Sequence, residues 1–110
     1  MLATTPDDAA SVFAALGDPT RLALVARLSA RGPLSIARLA AGSTVSRQAV
    51  TKHLHVLAAA DLAHSARLGR ELIWQLDTAR LRQARQAIDQ ISTQWDQALD
   101  KLRHYVEEDT

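Results

Sequence analysis

The sequence predicts a mainly α-helical fold with one small β-hairpin, in a single domain over residues 1–110. Three observations support this prediction. Proline and glycine divide the first 60 residues into four short segments with helical apolar periodicity. Residues 62–77 alternate like two short strands around a glycine turn. The last third of the chain has a heptad pattern that no glycine or proline interrupts.

The first two helices each begin at a capping residue followed by proline. Thr5 is placed to cap a helix that starts at Pro6 and ends before Gly17, at about residues 6–16. Asp18 caps the second helix, which ends near residues 32–33. We expect its inward side to carry four apolar residues: Leu22, Val25, Ala26 and Leu28.

The next two helices predict a helix-turn-helix motif at about residues 35–60. Ser35 caps a short helix that Gly42 closes, and Ser46 caps the helix that follows the turn. At 100° per residue, the larger apolar residues of this second helix share one arc with His53, which we expect in the core. Its exposed side is expected to carry donors and no acid: Ser46, Arg47, Gln48, Thr51, Lys52 and His55. These donors suit DNA phosphates and base edges, although the segment alone also fits an ordinary amphipathic surface helix.

The alternating segment at about residues 62–77 predicts a hairpin directly after this motif. Leu72, Trp74 and Leu76 fall on one face of its second strand. Arg67 and Arg70 flank the tip, where they could follow a minor groove or its phosphates, or simply keep the tip soluble. A helix-turn-helix followed by a basic-tipped hairpin is a winged helix-turn-helix.

Charge and composition narrow the functional classes. The net charge is +1, but six basic residues and no acidic residue lie between Pro19 and Ala60, whereas acids outnumber bases after Asp77. The middle of the chain is therefore the predicted phosphate-facing surface. The absence of cysteine excludes disulfides and thiolate metal sites. The N-terminus lacks the basic and apolar segments of a signal peptide, so we predict a cytoplasmic protein without a membrane partner.

The heptad pattern predicts a long C-terminal helix at about residues 78–108 and a homodimer. Apolar residues recur from Leu81 to Tyr105 at alternating spacings of three and four. A helix of this length has a longer apolar surface than a single small domain can bury. Two copies would also give a DNA reader its two recognition helices. We expect the N- and C-terminal helices to form the dimer interface through eight residues: Val12, Phe13, Leu16, Ile88, Ile91, Trp95, Leu99 and Leu102. The alternative is a long helix folded across its own domain.

Three segments together resemble the ArsR/SmtB family of bacterial winged-helix repressors. They are "LGDPTRLALVARL", "STVSRQAVTKHLHVLAAADL" and "RLGRELIWQL", which follow the order and spacing of that family. The resemblance implies a homodimer that binds a palindromic operator in double-stranded DNA and represses transcription. In many members a ligand releases the DNA, which here implies an inducer of unidentified chemistry. The resemblance places the groove-facing side chains at Arg47, Gln48, Thr51 and Lys52, with Ser46 and the hairpin arginines at phosphates.

The chain departs from the family at its metal sites. Classical members bind metal through cysteines, which this chain lacks. Other members use a last-helix site of Asp, two His and Glu. His104 and Glu107 have the spacing of half that site, but Ile91 and Thr93 stand at the other ligand positions. We therefore predict no metal site and no cofactor.

Three other functions stay open as alternatives. A metal-responsive repressor could use a non-classical site. A protein–protein adaptor could use the heptad surface to bind another helix, with its basic residues incidental. An enzyme is disfavoured, and we assign no catalytic residue, because the sequence has no nucleophile elbow, phosphate-binding glycine loop or metal pair.

Overall fold

The computed structural model describes residues 6–108 and has the predicted fold class, mainly helical with a small antiparallel sheet. The N-cap expected at Thr5 lies outside the described residues. The elements follow in this order: α1 (Pro6–Leu16), α2 (Pro19–Arg31), β1 (Leu34–Ser35), α3 (Ile36–Ala41), α4 (Arg47–Ala59), β2 (Ala63–Leu68), β3 (Glu71–Leu76) and α5 (Thr78–Glu108).

Three predicted N-caps are confirmed and fix where the central helices begin. The carboxylate of Asp18 accepts a hydrogen bond from the backbone N–H of Arg21 at 3.0 Å. The Ser35 and Ser46 hydroxyls accept from the backbone N–H three residues further on, at 3.2 and 3.1 Å. Each cap satisfies a donor that the first helical turn leaves without a partner.

The core lies where α2, α4 and the sheet meet, and it corrects part of the predicted inward pattern. On α2, Leu24, Val25 and Leu28 are buried, whereas Leu22 is 53% exposed and Ala26 is exposed. On α4, Val56 was expected inside but is 43% exposed. The stretch "LALVARL" is apolar on more than one side, so periodicity alone could not choose the arc that meets α4 and β3.

The hairpin forms with one strand more than the sequence predicted. β3 pairs with β2 on one side and with the two-residue β1 on the other, so the strand order is β1-β3-β2. Gly69, at the turn, has φ +62°, which favours glycine. As predicted, Leu72, Trp74 and Leu76 face the core. β1 escaped prediction because two residues cannot show alternation.

Helix α5 changes environment along its length. Its 31 residues span about 46 Å. Near its start Ala84 is buried and Leu81 packs against the core, but every residue from 88 to 108 is exposed.

No single helix within residues 6–108 is long and apolar enough to cross a membrane. Helices α1 and α2 meet that test only when taken together across a bend of 100°, and both contribute to the core.

Candidate nucleic-acid interface

The polar side of α4 presents the predicted donors at the surface. Arg47, Gln48, Lys52 and His55 are exposed, as is Ser46 at the N-cap. Thr51 is half-buried, and its hydroxyl donates to the Arg47 carbonyl at 3.0 Å. Thr51 can therefore accept a hydrogen bond from a base edge while its own proton stays on the helix.

A cleft joins this surface to the wing, which consists of β2, β3 and their turn. The cleft has a volume of 360 Å³ and is lined by Arg47 and Thr51 of α4 and by Arg67 and Arg70 of the wing. Its apolar wall includes Trp74, which is 2% exposed. His55 packs near this wall, with its ring centroid 6.0 Å from that of Trp74 and the ring planes tilted by 45°. The structure thus brings predicted DNA-binding residues of α4 and of the wing to one surface.

Two of the basic residues that suggested a phosphate-facing surface have other partners. The Arg21 guanidinium donates to the Ala15 carbonyl at 2.6 Å and to the Ala14 carbonyl at 3.4 Å. These carbonyls belong to the last turn of α1, where the Ala14 carbonyl also accepts from the backbone N–H of Gly17 at 3.3 Å. The count of basic residues therefore overstated the charge available to DNA.

Arg27 plays the same part at the end of α3. Its guanidinium donates to the carbonyls of Leu39 and Arg38 at 2.9 and 3.0 Å. It lies so close to Gly42 that a Cβ at that position would come within 2.6 Å of it. A side chain at position 42 would therefore displace the Arg27 guanidinium, a consequence beyond the helix-ending role that the sequence suggested for Gly42.

His53 connects the inner side of α4 to the start of α2. It is half-buried, less enclosed than the core position that we expected. Its Nδ1 lies 3.3 Å from Nη1 of Arg21 and 3.8 Å from Oδ2 of Asp18. The backbone N–H of Arg21, with the nearby Arg21 and His53 charges, holds the pKa of Asp18 below its usual value. This cluster positions α4 relative to α1 and α2.

A second pair, between His64 and Asp77, joins the wing to α5 and was missed by the sequence reasoning. His64 Nε2 lies 3.0 Å from Oδ2 of Asp77, and Asp77 also accepts from the backbone N–H of Arg80 at 3.1 Å. The side-chain hydrogen bond of His64 is the main cause that lowers the pKa of Asp77. The pair is 13 residues apart across a hairpin, and only the strand register brings it together.

The predicted dimer residues fall into two groups. Phe13 is 36% exposed, Leu16 is half-buried, and the α5 residues are 40–63% exposed: Ile88, Ile91, Trp95, Leu99 and Leu102. Val12 corrects the prediction, because it is only 1% exposed and packs in the core of its own protomer. Val106, 55% exposed, continues the α5 surface and was not predicted. We name the exposed apolar side of α5 from Ile88 to Val106 the α5 seam.

Metal-ligand clusters are not found in the described part of the chain. There, no group of three or more His, Asp or Glu side chains could hold a metal ion. His104 and Glu107 lie on the exposed last turns of α5. Other described side chains of the same protomer thus do not add the ligands that His104 and Glu107 would need for a metal site.

Comparisons with known proteins agree with this architecture. A family model described as a helix-turn-helix domain matches residues 16–66. An HTH-type transcriptional regulator of Mycobacterium tuberculosis is 41% identical over 95 residues, which cover 86% of this chain and 82% of that protein. A homologue of the transcriptional repressor SmtB from Synechocystis is 40% identical over 67 residues, 61% of this chain and 50% of that protein.

A solved structure gives the same result for the fold. The ArsR-like transcriptional regulator from Rhodococcus sp. RHA1 superimposes with a TM-score of 0.80 at 37% identity. The match covers 89% of this chain and 92% of that one, so it includes both the helix-turn-helix and the wing.

Proposed function

Since the chain belongs to the ArsR/SmtB family of winged helix-turn-helix transcriptional regulators, we propose that it is a repressor that binds a palindromic DNA operator as a homodimer. The observation that carries this proposal is the single surface on which the exposed donors of α4 meet the wing arginines. Repression is supported by the likeness to the SmtB homologue, which is described as a repressor.

In the proposed complex, α4 enters the major groove with its N-terminal end first. Gln48 and Thr51 then face base edges, where glutamine pairs with adenine in bidentate geometry, and Arg47 lies at the end of α4 beside the wing. Lys52 and Ser46 face phosphates, and His55 lies beside the wall of the cleft. Affinity comes mainly from the basic residues and is therefore sensitive to salt.

The α5 seam is the proposed dimer surface. Its large apolar residues have no cover within the described protomer, and an exposed apolar surface of this kind marks an interaction site. Pairing with a second copy buries the seam and adds Phe13 and Leu16 of α1, which packs against the start of α5. It also sets two α4 helices at the separation of successive major grooves, about 34–36 Å.

Footprinting of the purified protein on the DNA upstream of its own gene tests the proposal. We expect two protected half-sites related by two-fold symmetry, with centres about 10–10.5 base pairs apart or a multiple of that. Protection should weaken steeply as salt is added. Absence of protection at low salt, or protection of one unpaired site, would contradict the proposal.

A further inference from the structure

Three arginines from two separate elements converge on the cleft between α4 and the wing. Arg47 is the first residue of α4, Arg67 lies in β2, and Arg70 lies in the wing turn. All three are exposed, and none forms an ion pair with a side chain that the structure describes. The lining contains one acid, Glu71. We name this site the arginine cleft.

This arrangement favours an anionic ligand rather than a neutral one. Three guanidinium groups around one opening repel one another, and an apolar wall that includes Trp74 strengthens their field. The indole N–H of Trp74 is also buried and has no acceptor among the described residues.

Phosphate is the anion that fits these donors best. Arginine presents planar, paired N–H groups that match the oxygen geometry of a phosphate. The cleft also opens between the element proposed for the major groove and the hairpin beside it. A DNA strand that separates the two grooves has to pass this opening with its phosphates.

We propose that the arginine cleft seats one phosphate of the DNA backbone, held at the same time by α4 through Arg47 and by the wing through Arg67 and Arg70. The proposal rests on the proposed DNA-binding function and adds which contacts act together. The seated phosphate locks the wing against the recognition helix only while DNA is bound.

Neutral phosphate substitution in the operator tests whether the three arginines share one phosphate. Methylphosphonate replaces one backbone phosphate at a time, and affinity is measured for the unaltered protein, Arg47→Gln and Arg67→Gln. We expect one position in each half-site where the neutral linkage weakens the unaltered protein about tenfold. The same linkage should weaken each variant less than it weakens the unaltered protein, because one of the three arginine contacts to that phosphate is already lost.

Salt dependence gives a second measurement on the same operator. The slope of log affinity against log salt changes by about 0.9 for each phosphate neutralised. If the three arginines share a phosphate, the triple variant to glutamine lowers the slope by about 0.9 per half-site, whereas separate phosphates give about 2.7. Arg82→Gln, on the exposed side of α5 opposite Ala84, is the control and should leave the slope unchanged. Thermal unfolding by circular dichroism checks that every variant is folded.

Three outcomes would overturn the proposal. In the first, Arg47→Gln and Arg67→Gln lose sensitivity at different phosphates, which leaves the proposed repressor function intact. In the second, inorganic phosphate at constant ionic strength displaces DNA from the unaltered protein but not from Arg47→Gln, which assigns the cleft to free phosphate. If the unaltered protein binds no DNA, the proposed function fails together with the phosphate seat.

Discussion

In the scaffold formed by α1, α2 and α3, two arginines bind the carbonyls at helix ends, whereas the arginine cleft exposes its arginines and the α5 seam exposes apolar side chains. On α2, Arg21 and Arg27 donate to the last carbonyls of α1 and α3. On α4 and the wing, Arg47 faces the cleft with Arg67 and without an acidic partner at ion-pair distance among the described side chains. The same residue type thus has opposite uses. An exposed surface that is strongly charged or apolar marks a place where a partner binds.

The largest effect is expected at the α5 seam, from Trp95→Asp. The change places a charge in the proposed dimer interface, and two-fold symmetry repeats it. Taking about 3 kcal/mol for each lost tryptophan, dimerisation weakens by about 6 kcal/mol, roughly 10⁴-fold. Sedimentation at micromolar concentration should find monomers.

Gln97→Asp is the matched control for this change. Gln97 is exposed two residues away, on the side of α5 opposite the seam, so the dimer should persist. A dimeric Trp95→Asp protein would remove the seam from the interface. The α5 seam would then no longer be an example of an exposed surface that a partner covers.

The next effect is expected on the open side of α4, from Arg47→Glu combined with Lys52→Glu. At about 1 kcal/mol for each of four lost contacts in the dimer, operator binding falls by about 4 kcal/mol, roughly 1,000-fold. The free energy of unfolding should change by less than about 0.5 kcal/mol, since both side chains are exposed. Gel-shift titration and urea unfolding measure the two quantities.

The control for this pair reverses two charges away from the proposed interface. Arg82→Glu with Lys101→Glu makes the same change in net charge on exposed positions of α5. It should retain most of the affinity for the operator. Equal losses in both double variants would mean that net charge governs binding, and the assignment of α4 as the recognition helix would fail.

An arginine that binds the end of a helix should affect stability rather than DNA binding, and Arg27→Gln tests this. Loss of two charge-assisted hydrogen bonds to the end of α3 lowers the free energy of unfolding by about 2 kcal/mol. The salt slope of DNA binding should not change, because Arg27 holds no phosphate in our proposal. Arg31→Gln, four residues further along α2 and exposed, is the control within about 0.5 kcal/mol. Equal stability of the two variants would contradict the structural role of Arg27.

Local signals in the sequence predicted most of the helices and strands, but not the contacts that their side chains make with other elements. Caps at Asp18, Ser35 and Ser46 and the heptad of α5 act within a few residues, so the element order could be predicted. The strand β1 could not, because its two residues take their strand identity from the register with β3.

Long-range contacts account for the errors at the candidate site. Arg27 is identified as a structural residue only by its contact with α3, 12 residues away. Val12 is removed from the predicted dimer surface only by the packing of α1 on the core. The placement of Arg47 and Arg67 on one cleft likewise depends on how the wing lies against α4. Periodicity identifies the exposed side of a helix, but not which neighbour covers the other side.

The smallest effect is expected at Asp77, whose carboxylate joins the wing to α5. Asp77→Ala removes both the N-cap and the His64 contact and should lower the free energy of unfolding by about 1 kcal/mol at pH 7. Asp77→Asn keeps a capping oxygen and should lose less.

The folded state lowers the pKa of Asp77, so its ionised form stabilises the fold above the usual value of 3.8. That contribution disappears as the pH falls through the lower folded value. Urea unfolding at fixed protein concentration should therefore separate Asp77→Asn from the unaltered protein at pH 7 and bring the two together in strong acid. A constant difference across that range would show that the ionised carboxylate contributes nothing.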